Sequence, residues 1–300
     1  MSDATAVLYD HPGPRAQRLY RIVAVVFVLV LAAIIWFVLD ALSGKGQLTA
    51  DKWKPFLTSQ AWTTYLLPGL WITLQTAFWS VVIALPIGAL LGIGRLSDHA
   101  WLRIPCSIIV EFFRAIPVLI LMVFAYAFTI AAFGVSNPMP AAIIGLVLCN
   151  GSVLAEVFRA GILSLPRGQT EASLAVGMSK TQMMTLVLLP QALTVMLPAI
   201  VSQLVVIVKD TALAGILIQL NELRRSGGTA AAQYRNLLPT YVIIAVIYLV
   251  INLLLVWLAT WLEKRGRQKR AGGRGGGAGT PDPTALTEAA QAPGLTGTAR

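Results

Sequence analysis

Six stretches of this chain are almost wholly apolar: residues 22–39, 68–94, 104–133, 139–162, 192–208 and 237–262. Each is near or above the roughly 20 residues that an α-helix needs to cross a bilayer. The pattern predicts six transmembrane helices joined by mostly short polar connectors. The first run follows Arg15, Arg18 and Arg21. It is too long for a signal-peptide core, and no small-x-small cleavage site follows closely, so it reads as a retained helix. Six crossings put both termini on one side of the membrane.

Composition agrees with this pattern. Hydrophobic residues make up 57% of the 300 positions, charged residues 12%, and mean hydropathy is +0.74. Soluble domains carry about 25% charged residues, so a soluble enzyme is excluded. The net charge of +10 is a topology signal before it is anything else. Lys and Arg collect on the cytoplasmic side of membrane proteins. With the N-terminus inside, the inner segments hold Arg15, Arg18, Arg21, Arg95, Arg103, Arg167, Lys180 and a basic tail that includes Lys264, Arg265 and Arg267. The distribution therefore favours both termini in the cytoplasm. The tail from Arg265 is rich in Gly, Ala, Pro and Thr, and is expected to lack fixed structure and to rest on anionic headgroups. No nucleic-acid partner is required. Two cysteines, Cys106 and Cys149, are too few for a disulfide framework or a cysteine metal site.

One inner connector is long. Residues 163–193 read LSLPRGQTEASLAVGMSKTQMMTLVLLPQAL. Pro166 suits a first helical turn, and Gly177 suits the left-handed residue that closes a helix. Ser179 with Gln182 three residues on forms a capping box that opens a second helix. Pro190 marks a break before the fifth span. The expectation is two short helices hinged at Gly177, too small to stand alone and suited to docking on a partner. An amphipathic hairpin resting on lipid is the plainer alternative.

Ionisable and amide side chains inside spans are costly, and they are functional candidates. Glu111 with Arg114, and Glu156 with Arg159, lie three residues apart on one helix face and can pair. Lys209-Asp210 ends the apolar part of the fifth span, with apolar residues again from Leu213: a helix break lining a gate region is one expectation there, and a pair snorkelling to the outer interface is the other. Gln75, Asn150 and Gln203 either bond between helices or line a path. Gly88, Gly92 and Gly94 lack the phosphate-loop pattern, and close helix packing is their expected role.

The long connector resembles the EAA loop of the membrane subunits of bacterial ATP-binding-cassette importers. Glu171-Ala172-Ser173, Gly177 and Val187-x-Leu189-Pro190 stand at that loop's spacing. Ser173 takes the place of an Ala and Val187 that of an Ile. More of the chain, roughly residues 67–262, resembles the polar amino acid permeases of the histidine, glutamine and glutamate type. The stretches that carry this likeness include Gly69-Leu70-Trp71-Ile72-Thr73-Leu74, Ala155-Glu156-Val157-Phe158-Arg159-Ala160-Gly161 and Leu189-Pro190-Gln191-Ala192. Arg114-Ala115-Ile116-Pro117 and Lys209-Asp210-Thr211-Ala212 depart from the usual Arg-Gly-Thr-Pro and Lys-Asp-Thr-Ser. Within the branch the chain is most similar to glutamate-type permeases of high-GC Gram-positive bacteria.

This resemblance implies an all-α integral membrane fold. One extra N-terminal helix (22–39) would precede a five-helix importer core (67–262) with its coupling loop (163–193). A cytoplasmic N-tail (1–21), an extracytoplasmic loop (40–66) and a basic tail (263–300) complete the chain. It implies a multi-pass cell-membrane permease subunit that imports polar amino acids, glutamate or a related one. The chain would not be an enzyme and would hold no cofactor, with ATP and Mg on the partner. Implied partners are a cytoplasmic ATPase dimer, a second permease subunit (homologous or identical) and an extracytoplasmic solute-binding protein. Glu171, Ala172, Ser173, Gly177, Leu189 and Pro190 would couple to the ATPase. Gln75, Arg114, Asn150, Glu156, Gln203, Lys209 and Asp210 are the path or gate candidates. The competing reading is an ion-gradient-driven secondary transporter, which needs two repeated halves with broken helices. No internal repeat is visible.

Overall fold

The structure is a computed structural model that describes residues 13–273, with side chains described up to residue 261. Among these residues there are only helices and connectors. In chain order they are α1 (Pro14–Gly44), α2 (Ala50–Trp53), a 3-10 turn (Lys54–Leu57), α3 (Ser59–Ala61), a π-helical stretch (Trp62–Leu66), α4 (Leu67–Gly94), α5 (Ala100–Ala115) and α6 (Val118–Phe133). Then follow α7 (Pro138–Leu163), α8 (Arg167–Ala175), α9 (Lys180–Gln182), a second π-helical stretch (Met183–Leu188), α10 (Leu189–Leu217), α11 (Leu223–Tyr234) and α12 (Leu237–Gly273).

Five helical runs are long and apolar enough to cross a membrane: Pro14–Gly44, Ser59–Gly94, Pro138–Leu163, Lys180–Leu217 and Leu237–Trp261. A sixth crossing is made only if α5 and α6, bent by 103° at the break between them, count as one span. Residues 104–133 are therefore not the single helix expected. Pro117 drives the bend. Its ring pushes Ile116 out of the helical region, to φ −96° and ψ 129°. After the bend, α6 is apolar on every side, about 24 Å long at 1.5 Å per residue. It ends on left-handed Gly134. α5 instead mixes charge with apolar residues, carrying Arg103, Glu111 and Arg114 among Ile104, Ile108 and Phe112.

Three further expectations are corrected. The fifth span does not break at Lys209-Asp210: α10 runs on to Leu217, and the turn comes at Gln219, with φ +60°. Residues 209–217 contain no proline and only Gly215, and the Thr211 hydroxyl donates back to the Val208 carbonyl, so nothing interrupts the ladder. Pro190 does not end a helix either. It follows the π-helical stretch, whose wider turn absorbs the missing donor, and the Gln191 side-chain amide donates to the Val187 carbonyl at 3.0 Å. Lys180–Leu217 is thus one 38-residue helical run. α12 likewise extends to Gly273, into the stretch from Arg265 expected to lack structure. The remainder of that basic tail, and residues 1–12 of the N-tail, lie outside the described residues.

The described residues divide into two compact units, the boundaries falling within α4, between α10 and α11, and within α12. One unit comprises the residues up to Thr73 together with Gln219–Ile247. In it, α11 packs against the start of α4 where Gly69 leaves no room for a side chain: a Cβ there would lie 2.9 Å from the Leu223 backbone. Thr73 and Ser226 lock the contact through bonds to the Leu223 N–H and the Tyr65 carbonyl. The other unit is Leu74–Ile218 with the residues from Tyr248 on. Its centre is α7, of whose apolar window 61% is buried, the most of any span. Leu154, Phe158 and Ile162 of α7 form one core with Ala84, Met183, Leu188, Ala192, Met196 and Ile200. α4 approaches α7 through Gly88 and Gly92: a Cβ on Gly92 would sit 2.5 Å from the Ala155 carbonyl oxygen. Small residues here let two backbones meet, as in other membrane helix pairs.

Candidate functional site

α7 carries two polar clusters. Asn150 is 1% exposed. Its amide donates to the Leu146 carbonyl at 3.0 Å, and its carbonyl accepts from Gln203 of α10 at 2.5 Å. Two of the three in-span amides are thus one interhelical pair. The third, Gln75, is half-buried on α4, and no hydrogen bond joins it to that pair. Lys209 is exposed and Asp210 half-buried on α10, and they form no salt bridge with each other.

Six residues further along α7, about 9 Å by helical rise, lies the second cluster. Glu156 is its hub. It takes Arg95 at 2.6 Å, Arg159 at 3.0 Å and, more loosely, Arg114 at 3.7 Å. The local Glu156–Arg159 pair is as the spacing predicts. The expected Glu111–Arg114 pair is not: Glu111 turns to Arg95 at 3.0 Å instead. Arg95, at the end of α4, bridges both carboxylates, and its side chain is only 9% exposed. Its Nε is buried without a hydrogen-bond partner. Arg95 read in the sequence as a plain inner-side charge. Its partners are 16 and 61 residues away, so no local spacing could reveal it.

The connector 163–193 folds much as its local signals require. α8 closes on a Schellman turn: Met178 N–H bonds to Ser173 C=O at 3.1 Å, Gly177 N–H to Leu174 C=O at 2.9 Å, and Gly177 takes φ +77°. Ser179 then opens α9 with both halves of the capping box present. Ser173 is buried, its hydroxyl donating to the Gln169 carbonyl at 2.7 Å. The Gln191 amide donates to the Gln169 side chain at 3.2 Å and ties α8 to the α10 run. Glu171 and Ala172 are exposed beside Leu174, Val176 and Leu186, which are 56%, 77% and 68% exposed. Leu189 and Pro190 are half-buried at the root of α10. Lys180 forms an ion pair with Asp98 of the α4–α5 turn. The Lys180 ammonium, hydrogen-bonded to Asp98, holds that carboxyl below its ordinary range.

Among the described residues, no group of three or more His, Cys, Asp or Glu side chains is placed to hold a metal ion. The site consists of a helix bundle with buried polar pairs and an exposed apolar hairpin. That combination, with five or six apolar helical spans, defines a multi-pass helical membrane protein.

Known proteins give the class a family. The family model described as "binding-protein-dependent transport system inner membrane component" matches residues 84–268, and the chain belongs to this family of ABC importer permeases. The chain is 49% identical over 237 residues to the glutamate transport system permease protein GluD of Corynebacterium glutamicum, covering 77% of this chain and 85% of GluD. It is 32% identical over 196 residues to the probable glutamine ABC transporter permease protein GlnP of Bacillus subtilis, covering 63% of this chain and 88% of GlnP. A solved amino acid ABC transporter with histidines matches with a TM-score of 0.63 at 28% identity, over 70% of this chain and 98% of that one. A bacterial importer of the acidic polysaccharide alginate, at 17% identity and a TM-score of 0.56, shares the fold, over 83% of this chain and 99% of that one.

Proposed function

We propose that this chain forms the translocation pathway of an ATP-driven importer of polar amino acids, with glutamate or a closely related amino acid as substrate. The observation that carries the substrate class is the 49% identity to the glutamate permease over 237 residues. The coupling reading is supported by the hairpin. Glu171, Ala172 and Ser173 lie on a nine-residue helix, α8, closed at Gly177, with Leu174 and Val176 exposed at its end and Leu186 exposed on the π-helical stretch that follows. Such a surface is stable in water only when something covers it. A cytoplasmic ATPase dimer is the occupant we assign. ATP and Mg belong to that partner, and this chain itself catalyses nothing. The charge distribution supports an inner location for the hairpin and both termini.

A second permease subunit, identical or homologous, would complete the pathway, and an extracytoplasmic binding protein would deliver the substrate. The Asn150–Gln203 pair and Gln75 are the path candidates at mid-span. Glu156 with Arg114 is the gate candidate toward the hairpin end of α7. Lys209 and Asp210 sit toward the other end, on an unbroken α10.

The test is a pair of substitutions in the hairpin. Glu171→Lys and Gly177→Asp are expected to abolish uptake and to release the ATPase from the purified complex, with the permease still in the membrane. Wild-type uptake with either variant removes the docking assignment.

A further inference from the structure

The turn between α4 and α5, residues 95–99, carries ionic contacts on both sides. On one side Asp98 pairs with Lys180, the first residue of α9. On the other, Arg95 donates to Glu156 at 2.6 Å and Glu111 at 3.0 Å. The turn between them is stiff. Leu96 N–H bonds to the Ile93 carbonyl at 2.9 Å and Ser97 N–H to the Gly94 carbonyl at 3.2 Å, while the Arg103 guanidinium donates to the Ser97 carbonyl at 3.4 Å. A displacement of Asp98 therefore moves the root of Arg95.

Two features point to a switching role over a purely architectural one. Arg95 leaves its Nε buried and unbonded while its other nitrogens hold two carboxylates. A rearranged cluster can satisfy this donor, which the present one leaves unbonded. The Asp98–Lys180 pair is exposed, at 74% and 44%, and so adds little to stability. Its value lies in what it connects. α9 begins three residues after the left-handed Gly177, through Met178 and the N-cap Ser179, so a push on the hairpin arrives at Lys180. The Gln191–Gln169 bond, by contrast, stays within the hairpin segment.

We propose that residues 95–98 are a coupling element. Asp98 receives the motion of α9 through Lys180, and Arg95 passes it to Glu156, switching the Arg95–Glu156–Glu111 cluster between the paired arrangement seen here and a second one. These are positioning residues, and the inference rests on reading 163–193 as the ATPase-docking loop.

The experiment uses the complete transporter, with ATPase and binding protein, in proteoliposomes that report ATP hydrolysis and labelled amino-acid uptake together. Asp98→Asn and Lys180→Gln are expected to keep the ATPase bound and hydrolysis within twofold of wild type. Uptake per ATP is expected to fall at least fivefold. The charge-swapped pair Asp98→Lys with Lys180→Asp is expected to return uptake per ATP to within twofold. Arg95→Lys, which keeps the charge but not the two-carboxylate bridge, is expected to lose coupling as well. Wild-type uptake per ATP in the single variants, a swap no better than they are, or loss of the ATPase from Asp98→Asn would each overturn the proposal. Failure of the docking reading shows separately, as Glu171→Lys complexes that keep the ATPase and transport normally.

Discussion

Gly92→Ala tests the packing on which the ionic cluster depends. A Cβ at position 92 would meet the Ala155 carbonyl oxygen at 2.5 Å and the Phe158 Cβ at 2.8 Å. Ordinary contact begins at 3.4 Å, so α4 and α7 must part by about 0.9 Å. The obstacle is backbone, which cannot rotate away. Overpacking of this kind costs about 1–3 kcal/mol, against which alanine's helix propensity returns up to about 1 kcal/mol. A net loss of about 1–2 kcal/mol is expected. Arg95 lies three residues on, so the same movement would stretch its 2.6 Å bond to Glu156 to roughly 3.5 Å, beyond good hydrogen-bond length. Thermal unfolding of the purified permease in detergent measures the first effect, and uptake in vesicles the second. Gly168→Ala is the control, because a Cβ there meets nothing within 4 Å. If Gly92→Ala unfolds no earlier than Gly168→Ala, the close α4–α7 approach is not as described.

Other perturbations have equally definite outcomes. Glu156→Gln leaves Arg95 with the Glu111 carboxylate alone and takes the carboxylate from Arg114 and Arg159; with Arg95 9% exposed and Glu156 30%, a loss of about 2 kcal/mol is expected in chemical denaturation. Asn150→Leu strands the Gln203 amide and is expected to cost about 1 kcal/mol, with reduced uptake, by the same assays. Gly177→Ala places a Cβ at φ +77° and is expected to cost about 1 kcal/mol, seen as faster amide exchange across residues 173–182. The Asp98–Lys180 pair has a pH signature. Asp98 is depressed below 3.8, so the pair's contribution is complete above that value and lost as pH falls through the lowered one. Exchange at residues 178–182 is therefore expected to show no step from this pair between about pH 5 and 8.

The apolar runs made α1, α4, α7, α10 and α12 legible, because span length is set by bilayer thickness and needs no tertiary information. The hairpin was legible too, since Gly177, Ser179 and Gln182 act over three or four residues. What escaped was set by distant partners or by competing local signals. Pro117 announces the α5–α6 bend, but the apolar residues around it hid the break. Lys209-Asp210 looked like an end, yet charge alone does not stop a helix whose backbone bonds remain intact. α11 lies outside the apolar runs, and Gly227 and Gly228 weaken its helix signal; Gly227 serves packing, since a Cβ would meet the Ile244 side chain at 2.2 Å. Glu111 chose Arg95 over Arg114 because the bundle brings the end of α4 against α5.

On the proposed function, a partner's ATP hydrolysis drives substrate movement through this chain. This is tested most directly by labelled glutamate uptake into sealed proteoliposomes holding the permease, its ATPase and its binding protein, with ionophores collapsing every ion gradient. Uptake is expected to require internal ATP, to persist without gradients and to disappear with Glu171→Lys. Uptake that needs a gradient and proceeds without ATP would contradict the proposed function.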